Sequence, residues 1–223
     1  MTHLKPSMKG IVFAASFLVA ANAALADSSI LCAPFRHNHL IDQALVSRML
    51  SAAKSGNLYL LQPTVSNFGF GVESIFGRIE AVFTSFQGGI SLQQTQEGPA
   101  LVRIKATSLQ TSGFFIRNML KGSSFFDVQN FPDVYFASKS LLRTGPSEGL
   151  LVGDLTLRGI TRPVIFSVDL GLIEGPVSPS DEIVELKATT TIQRSDFGMG
   201  AFPSLAEDEV DLSIELVAQR YSN

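Results

Sequence analysis

The chain reads as an all-β protein of antiparallel strands, with one short inserted helix, preceded by an amphipathic helix and a signal segment. Three observations predict this. From Leu58 onward apolar residues recur at every second position in run after run, the period of strands with one face turned inward. Glycine and proline punctuate those runs at Gly88-Gly89, Gly98-Pro99, Gly145-Pro146, Gly159 and Gly175-Pro176, as turns require. Two stretches, 38–55 and 113–121, instead follow helical spacing.

The first residues look like a processing signal. Lys5 and Lys9 precede an apolar stretch from Ile11 to Ala21, and Ala24-Leu25-Ala26 puts small residues at both cleavage positions. The stretch is too short to span a bilayer. Residues 1–26 are therefore expected to be a cleaved signal, with cleavage after Ala26 and export from the cytoplasm. No other apolar run reaches membrane-helix length, so no transmembrane segment is expected in the mature chain. Cys32 is the single cysteine, which leaves stability to core burial rather than to an internal disulfide. Leu31 stands where lipoprotein signals want a small residue, which argues against a lipid on Cys32. With 17 basic and 20 acidic residues the net charge is −3, and nucleic acid is not an expected partner.

Residues 27–57 form a lead-in and a helix. Asn38 opens a segment in which Ile41, Leu45, Met49, Ala52 and Ala53 share one face, and Gly56 is placed to stop it. The stripe either packs against the outside or one end of the next domain or plugs a barrel mouth.

Residues 58–223 form the β domain. Phe68, Phe70 and Val72 alternate with small or polar neighbours, as do Ile90 with Leu92, and Val102, Ile104 and Ala106. Further on come Val134 and Phe136, then Gly153, Leu155 and Leu157, then Val164, Phe166, Val168 and Leu170. The last two strands alternate most clearly: Val184, Leu186, Ala188, Thr190 and Ile192, then Val210, Leu212, Ile214 and Leu216. Near Gly113 the period turns helical, with Phe115, Met119 and Leu120 on one face and Gly122 as the stop. Antiparallel strands with one apolar face must sandwich or close, and closure removes exposed edges.

The inward set is aliphatic and rich in phenylalanine, with 17 Phe in the chain and no Trp. Those residues either fill a solid core or line a hollow whose occupant would be apolar. Phe68, Phe70, Val72, Ile104, Phe136, Leu155, Leu157, Phe166, Val168, Leu186, Ile192, Leu212 and Ile214 are the candidate lining. The β domain has neither histidine nor cysteine, which excludes a Ser-His-Asp triad or a Cys-His pair within it. His37 and His39 are two ligands without a third, a weak metal site. Glu207, Asp208, Glu209 and Asp211 lack the turn glycine of a calcium loop. No catalytic residue, metal or cofactor is expected.

Three runs carry a resemblance to a known family. They are Phe125-Phe126-Asp127-Val128-Gln129-Asn130-Phe131-Pro132-Asp133-Val134-Tyr135-Phe136, Gly153-Asp154-Leu155-Thr156-Leu157-Arg158-Gly159-Ile160-Thr161-Arg162-Pro163, and Arg194-Ser195-Asp196-Phe197-Gly198. In order and spacing they resemble the YceI-like family, from about Leu58 to Tyr221. The resemblance implies a periplasmic, lipocalin-like antiparallel β-barrel, hollow around an isoprenoid chain, with a helix between early and late strands. It also makes a homodimer plausible.

The chain departs from the family pattern in two places. Members often carry a histidine in an Asp-Pro-x-His-Ser run and another in a Leu-Thr-x-His-Gly turn. Here those positions hold Val65, within Gln62-Pro63-Thr64-Val65-Ser66, and Arg158. No imidazole role carries over. At a barrel mouth Arg158 could receive a phosphate or carbonyl head group; its plainer role is that of a solvated turn arginine. Arg194, Ser195 and Asp196 are expected to lock a turn, with Asp196 on local backbone and Arg194 paired to an acid.

Two functions compete. One is binding or transport of an isoprenoid lipid, a polyprenoid or quinone-like molecule, in the periplasm. The other is a packed barrel serving as a stress-associated interaction module, its first helix docking a protein such as a membrane redox partner.

Overall fold

The computed structural model describes residue 35 and residues 41–92, 99–169 and 182–221. The signal segment, Cys32, His37, Asn38, His39, Gly98, Leu170 and Gly175-Pro176 lie outside the described residues.

The chain forms helix α1 (Gln43–Lys54), then β1 (Leu58–Leu61), β2 (Asn67–Val72), β3 (Ile79–Phe83), β4 (Phe86–Ser91), β5 (Ala100–Lys105) and β6 (Leu109–Thr111). Helix α2 (Phe114–Lys121) follows, and then β7 (Asp133–Arg143), β8 (Glu148–Leu157), β9 (Ile160–Asp169), β10 (Ile183–Gln193) and β11 (Glu209–Arg220). The first six strands are the halves of three broken ones. β1 and β2 lie end to end along β11, while β3 and β4 pair with β2 and β1, and β5 and β6 with β4 and β3. Counted so, eight strands run antiparallel, each beside its neighbour in sequence, and β11 closes on β1. Closure leaves the sheet no continuous exposed edge, and an up-and-down barrel results.

Local chemistry explains the breaks. From Leu61 to Asn67 the first strand advances six positions while its partners on β11 go only from Ala218 to Glu215. The bulged residues strand the backbone of Val217. Ser66 serves it: Oγ accepts from the Val217 N–H at 2.9 Å and donates to its carbonyl at 3.2 Å, where Gln62 N–H also binds at 2.9 Å. The hairpin between β8 and β9 is tighter. Leu157 pairs with Ile160, and the two loop residues, Arg158 and Gly159, have φ of 50° and 72°, the left-handed pair that two-residue hairpins favour.

Gly88 and Gly89 correct an expectation, because they sit inside β4 rather than at a turn. A Cβ on Gly89 would stand 2.8 Å from the Tyr59 carbonyl oxygen and 3.5 Å from the terminal methyl of Met49 on α1. The doublet admits a neighbouring strand and helix, and glycine marks close approach as readily as a turn.

Helix α1 starts later than the spacing suggested. Asp42, not Asn38, caps it, its side chain accepting from Ala44 N–H at 2.8 Å. Gly56 takes φ 72° after its end, with Asn57 N–H on the Ala52 carbonyl and Gly56 N–H on that of Ala53, a Schellman stop. Leu45, Val46, Met49, Ala52 and Ala53 pack with Leu58, Leu101 and Tyr221 in a cluster separate from the barrel interior. The helix therefore covers the outer wall and is not a plug. Helix α2 begins after Gly113 and ends at Gly122, at the end of the barrel where β6 stops and β7 begins.

Candidate functional site

The barrel interior is hollow at its α2 end. A cavity of about 160 Å³ runs between the strands, and the surface exposed to it is apolar even though buried Arg194 is among the residues around it. Phe68, Phe70, Val72, Ile104, Phe136, Leu155, Leu157, Phe166, Leu186, Ile192, Leu212 and Ile214 all line it. Alternation brings them together, since each stands on the inward face of its strand. Val168 is the exception and a correction: it is buried in the core but is not part of the cavity wall. It pairs with Ala188, itself a wall residue, near the end of β9 away from α2, where Tyr59, Leu61, Val184 and Ala218 also belong to the core without touching the cavity.

Rings shape the wall. Phe70 and Phe83 both meet Phe126, with centroids 5.5 Å away in each case, and Phe136 stands edge-on to Phe166 at 5.4 Å. Phe136 can lie flat against β8 because its neighbour there is Gly153, where a Cβ would come within 2.6 Å of the ring.

The cap of the cavity escaped the strand pattern. Met119 and Leu120 from α2, Phe125 and Phe126 after it, and Met199 and Ala206 from the segment joining β10 to β11 close the α2 end. They fall in irregular or helical segments, where a period of two says nothing. The one available signal was the Phe125-Phe126 pair between Gly122 and Pro132.

Arg194 holds this cap together. It is 4% exposed, and its guanidinium donates from Nε to the Glu207 carbonyl at 2.8 Å, from Nη1 to those of Ala201 at 2.8 Å and Met199, and from Nη2 to that of Ala206 at 3.0 Å. Four carbonyl dipoles thus take the place of a counter-ion, and Phe125 adds its ring face 5.9 Å away. The expected acid partner is absent among the described residues. Asp196 is likewise corrected: it is exposed, and the turn is tied instead by Ser195, whose N–H and Oγ both bond Asp208.

Neither position where family members carry histidine lies on the cavity wall. Val65 is 64% exposed at the β1–β2 break. Arg158 donates from Nη1 to the Gly198 carbonyl, bridging the β8–β9 turn to the segment after β10. Among the described residues no three His, Cys, Asp or Glu side chains converge as a metal site, and no helix is long and apolar enough to cross a membrane.

A profile of the YceI-like domain matches residues 59–218. The chain belongs to the YceI-like family. Among curated relatives, a UPF0312 protein of Pseudomonas putida strain F1 is 29% identical over 145 residues, 64% of this chain and 75% of the relative. One from Pseudomonas fluorescens strain SBW25 is 28% identical over 170 residues, 75% of this chain and 85% of the relative. Solved YceI-like barrels share the fold. BcnA of Burkholderia cenocepacia superposes with a TM-score of 0.64 at 21% identity, over 71% of this chain and 99% of that one. A polyisoprenoid binding domain from Saccharophagus degradans, implicated in plant cell wall breakdown, superposes with a TM-score of 0.56 at 16% identity, over 73% and 98%.

Proposed function

We propose that this YceI-like barrel binds an isoprenoid lipid, a polyprenoid or quinone-like molecule, outside the cytoplasm and carries it through water. The observation that carries the reading is a cavity whose exposed surface is wholly apolar, the one charged side chain around it, Arg194, being spent on backbone carbonyls. Such a surface rejects a polar ligand, because every group brought in would lose its water and gain no partner. It rewards hydrocarbon, at roughly 0.8 kcal/mol per buried carbon. The polyisoprenoid-binding barrel of Saccharophagus degradans supports the choice of isoprenoid. A polar head group would stay at the barrel end, in water.

Size sets a further condition. A hollow of about 160 Å³ is comparable to cavities that admit a benzene-sized guest, so a long chain enters only if the lining rings move apart. Binding, rather than catalysis, suits a wall with neither base nor nucleophile. The interaction-module reading loses support from α1, whose apolar stripe is already buried against the barrel.

The test is solvent extraction of the purified protein followed by mass spectrometry, with titration of farnesol as a short soluble probe. Recovered prenyl lipid and saturable farnesol binding are expected, and Ala188→Phe, which drives a ring into the cavity, should abolish both. Repeatedly empty protein that also ignores farnesol would overturn the reading.

A further inference from the structure

The α2 end of the barrel wears its hydrophobic residues outward. Phe76 is 81% exposed, Phe115 77%, Phe114 71% and Ile75 64%, with Phe202 and Leu205 also exposed beside them. Elsewhere on the described surface the large exposed apolar residues are aliphatic, namely Val65, Leu142, Ile165 and Ile183, and Leu142 and Ile165 stand opposite half-buried Leu150 and Val152 on one outer sheet face. The cluster at the α2 end is instead largely aromatic, which is not ordinary for a protein in water. Its members come from three segments distant in sequence, and the fold gathers them. Ser74 bridges to Ala206 and Ile75 N–H bonds the Leu205 carbonyl at 3.0 Å, which joins the β2–β3 turn to the segment before β11. The β3–β6 register, with Ala81 opposite Thr111, brings the start of α2 alongside the start of β3.

These side chains ring the cap of the cavity. Phe202 stacks on Phe125, a wall residue, with centroids 6.1 Å apart. Helix α2 divides along its length: Met119 and Leu120 in its last turn reach the cavity, while Phe114 and Phe115 in its first turn stand in water, so Phe115, expected to share the buried face of Met119 and Leu120, is exposed instead. Of the cations nearby, Arg78 is engaged with Glu73, Glu80 and Asp211, while Arg117 lies over the Phe114 ring at 5.6 Å and donates to Gln110, so the patch is mainly apolar with one cation at its edge.

We propose that this aromatic rim docks the protein on a lipid bilayer, letting a lipid pass between bilayer and cavity under the α2 cap. The inference rests on the lipid-binding reading: a ligand that is hydrocarbon throughout the cavity is drawn from a membrane, and the rim surrounds the cap it must pass. The shape agrees. Turn tips and the first turn of a helix are convex and penetrate an acyl boundary, as interfacial apolar faces do, whereas a protein partner would be met by a groove or a free strand edge.

The experiment is co-sedimentation of the chain from Asp27 onward, as expected after signal cleavage, with neutral phosphatidylcholine vesicles, at low salt and at about 0.5 M salt, where charge attraction is screened. The parent should sediment equally at both, and the double variant Phe76→Ser, Phe115→Ser should bind about tenfold more weakly or worse. The control Ile165→Ser, Ile183→Ser should match the parent. Parent protein that stays in the supernatant, binding that vanishes in salt, or equal loss in the control overturns the proposal. So does a parent dimer that the rim variant dissolves, with no vesicle binding, because the occupant is then a second copy. Farnesol titration separates the two readings. Rim variants should bind farnesol as the parent does, so farnesol bound without vesicle binding defeats docking alone, whereas absent farnesol binding defeats the cavity reading.

Discussion

Replacing Gly153 with alanine should cost stability and ligand together, through one ring. Gly153 sits in β8 opposite Ser138, where the β7–β8 register shifts between Ser138 and Ser140. An alanine methyl there would lie 2.6 Å from two carbons of Phe136 and 2.7 Å from the Ala137 carbonyl oxygen. The backbone of Gly153 is not in the left-handed region, so crowding alone decides the outcome. Ordinary contact begins near 3.4 Å, so the ring must retreat by at least about 0.8 Å, into the cavity it lines. Overpacking of this kind costs about 1–3 kcal/mol, and disturbing the edge-on contact with Phe166 adds about 0.5–1.5 kcal/mol. A loss of about 2–4 kcal/mol in urea unfolding is therefore expected, with weaker farnesol binding. Adding Phe136→Leu should return the ring's share and leave the carbonyl's, a coupling of at least about 0.5 kcal/mol in a double-mutant cycle. Stability within about 0.5 kcal/mol of the parent, with binding unchanged, would refute the reasoning.

Other expectations concern the cap, the outer wall and the surface. Arg194→Met strands four carbonyls and should destabilise by about 3 kcal/mol or more, while Arg194→Lys, with at most three donors, should fall between; Asp196→Asn should unfold at the parental urea midpoint. Removing residues 1–54 should leave ligand binding in place but expose the outer face of β1 and β5, read as aggregation in light scattering. Asp211 is held below the usual carboxylate range, chiefly by the hydrogen bond from Arg78 and then by that from Thr191. Its share of stability is thus full above its unfolded pKa and lost as pH falls through the lower folded value. Asp211→Asn should accordingly lower stability by a constant amount above about pH 4 and converge with the parent only as pH falls below the depressed folded value.

Most of the barrel was legible because strand alternation is a local code: each inward position of β8, β10 and β11 announces itself by its neighbours. What closes the cavity was not, because Met119, Phe125, Met199 and Ala206 reach it from a helix and irregular segments whose placement depends on distant partners. Arg194 shows the same limit. Its neighbours in sequence suggested an ion pair, but its partners are carbonyls up to Glu207, brought round by the loop. Ser66 was matched to the family run without a role, and only the register of Val217 explains it.

One joint in the wall is shorter than the others. β8 and β9 pair along their whole length, as do β10 and β11. Between β9 and β10, pairing covers Ser167–Asp169 against Lys187–Thr189, leaving Ile160–Phe166 without a ladder on that side, toward the α2 end. Arg158 spans the gap there through its bond to Gly198. A barrel built this way behaves like a sleeve slit partway from one end and fastened by a single hook. Its girth can grow there without tearing a row of backbone bonds, so a hollow narrow at rest is elastic where, on the proposed function, a long chain would thread. The two flanking hairpins become separate stiff plates, and their amides along the slit should exchange hydrogen sooner than those of the β10–β11 ladder.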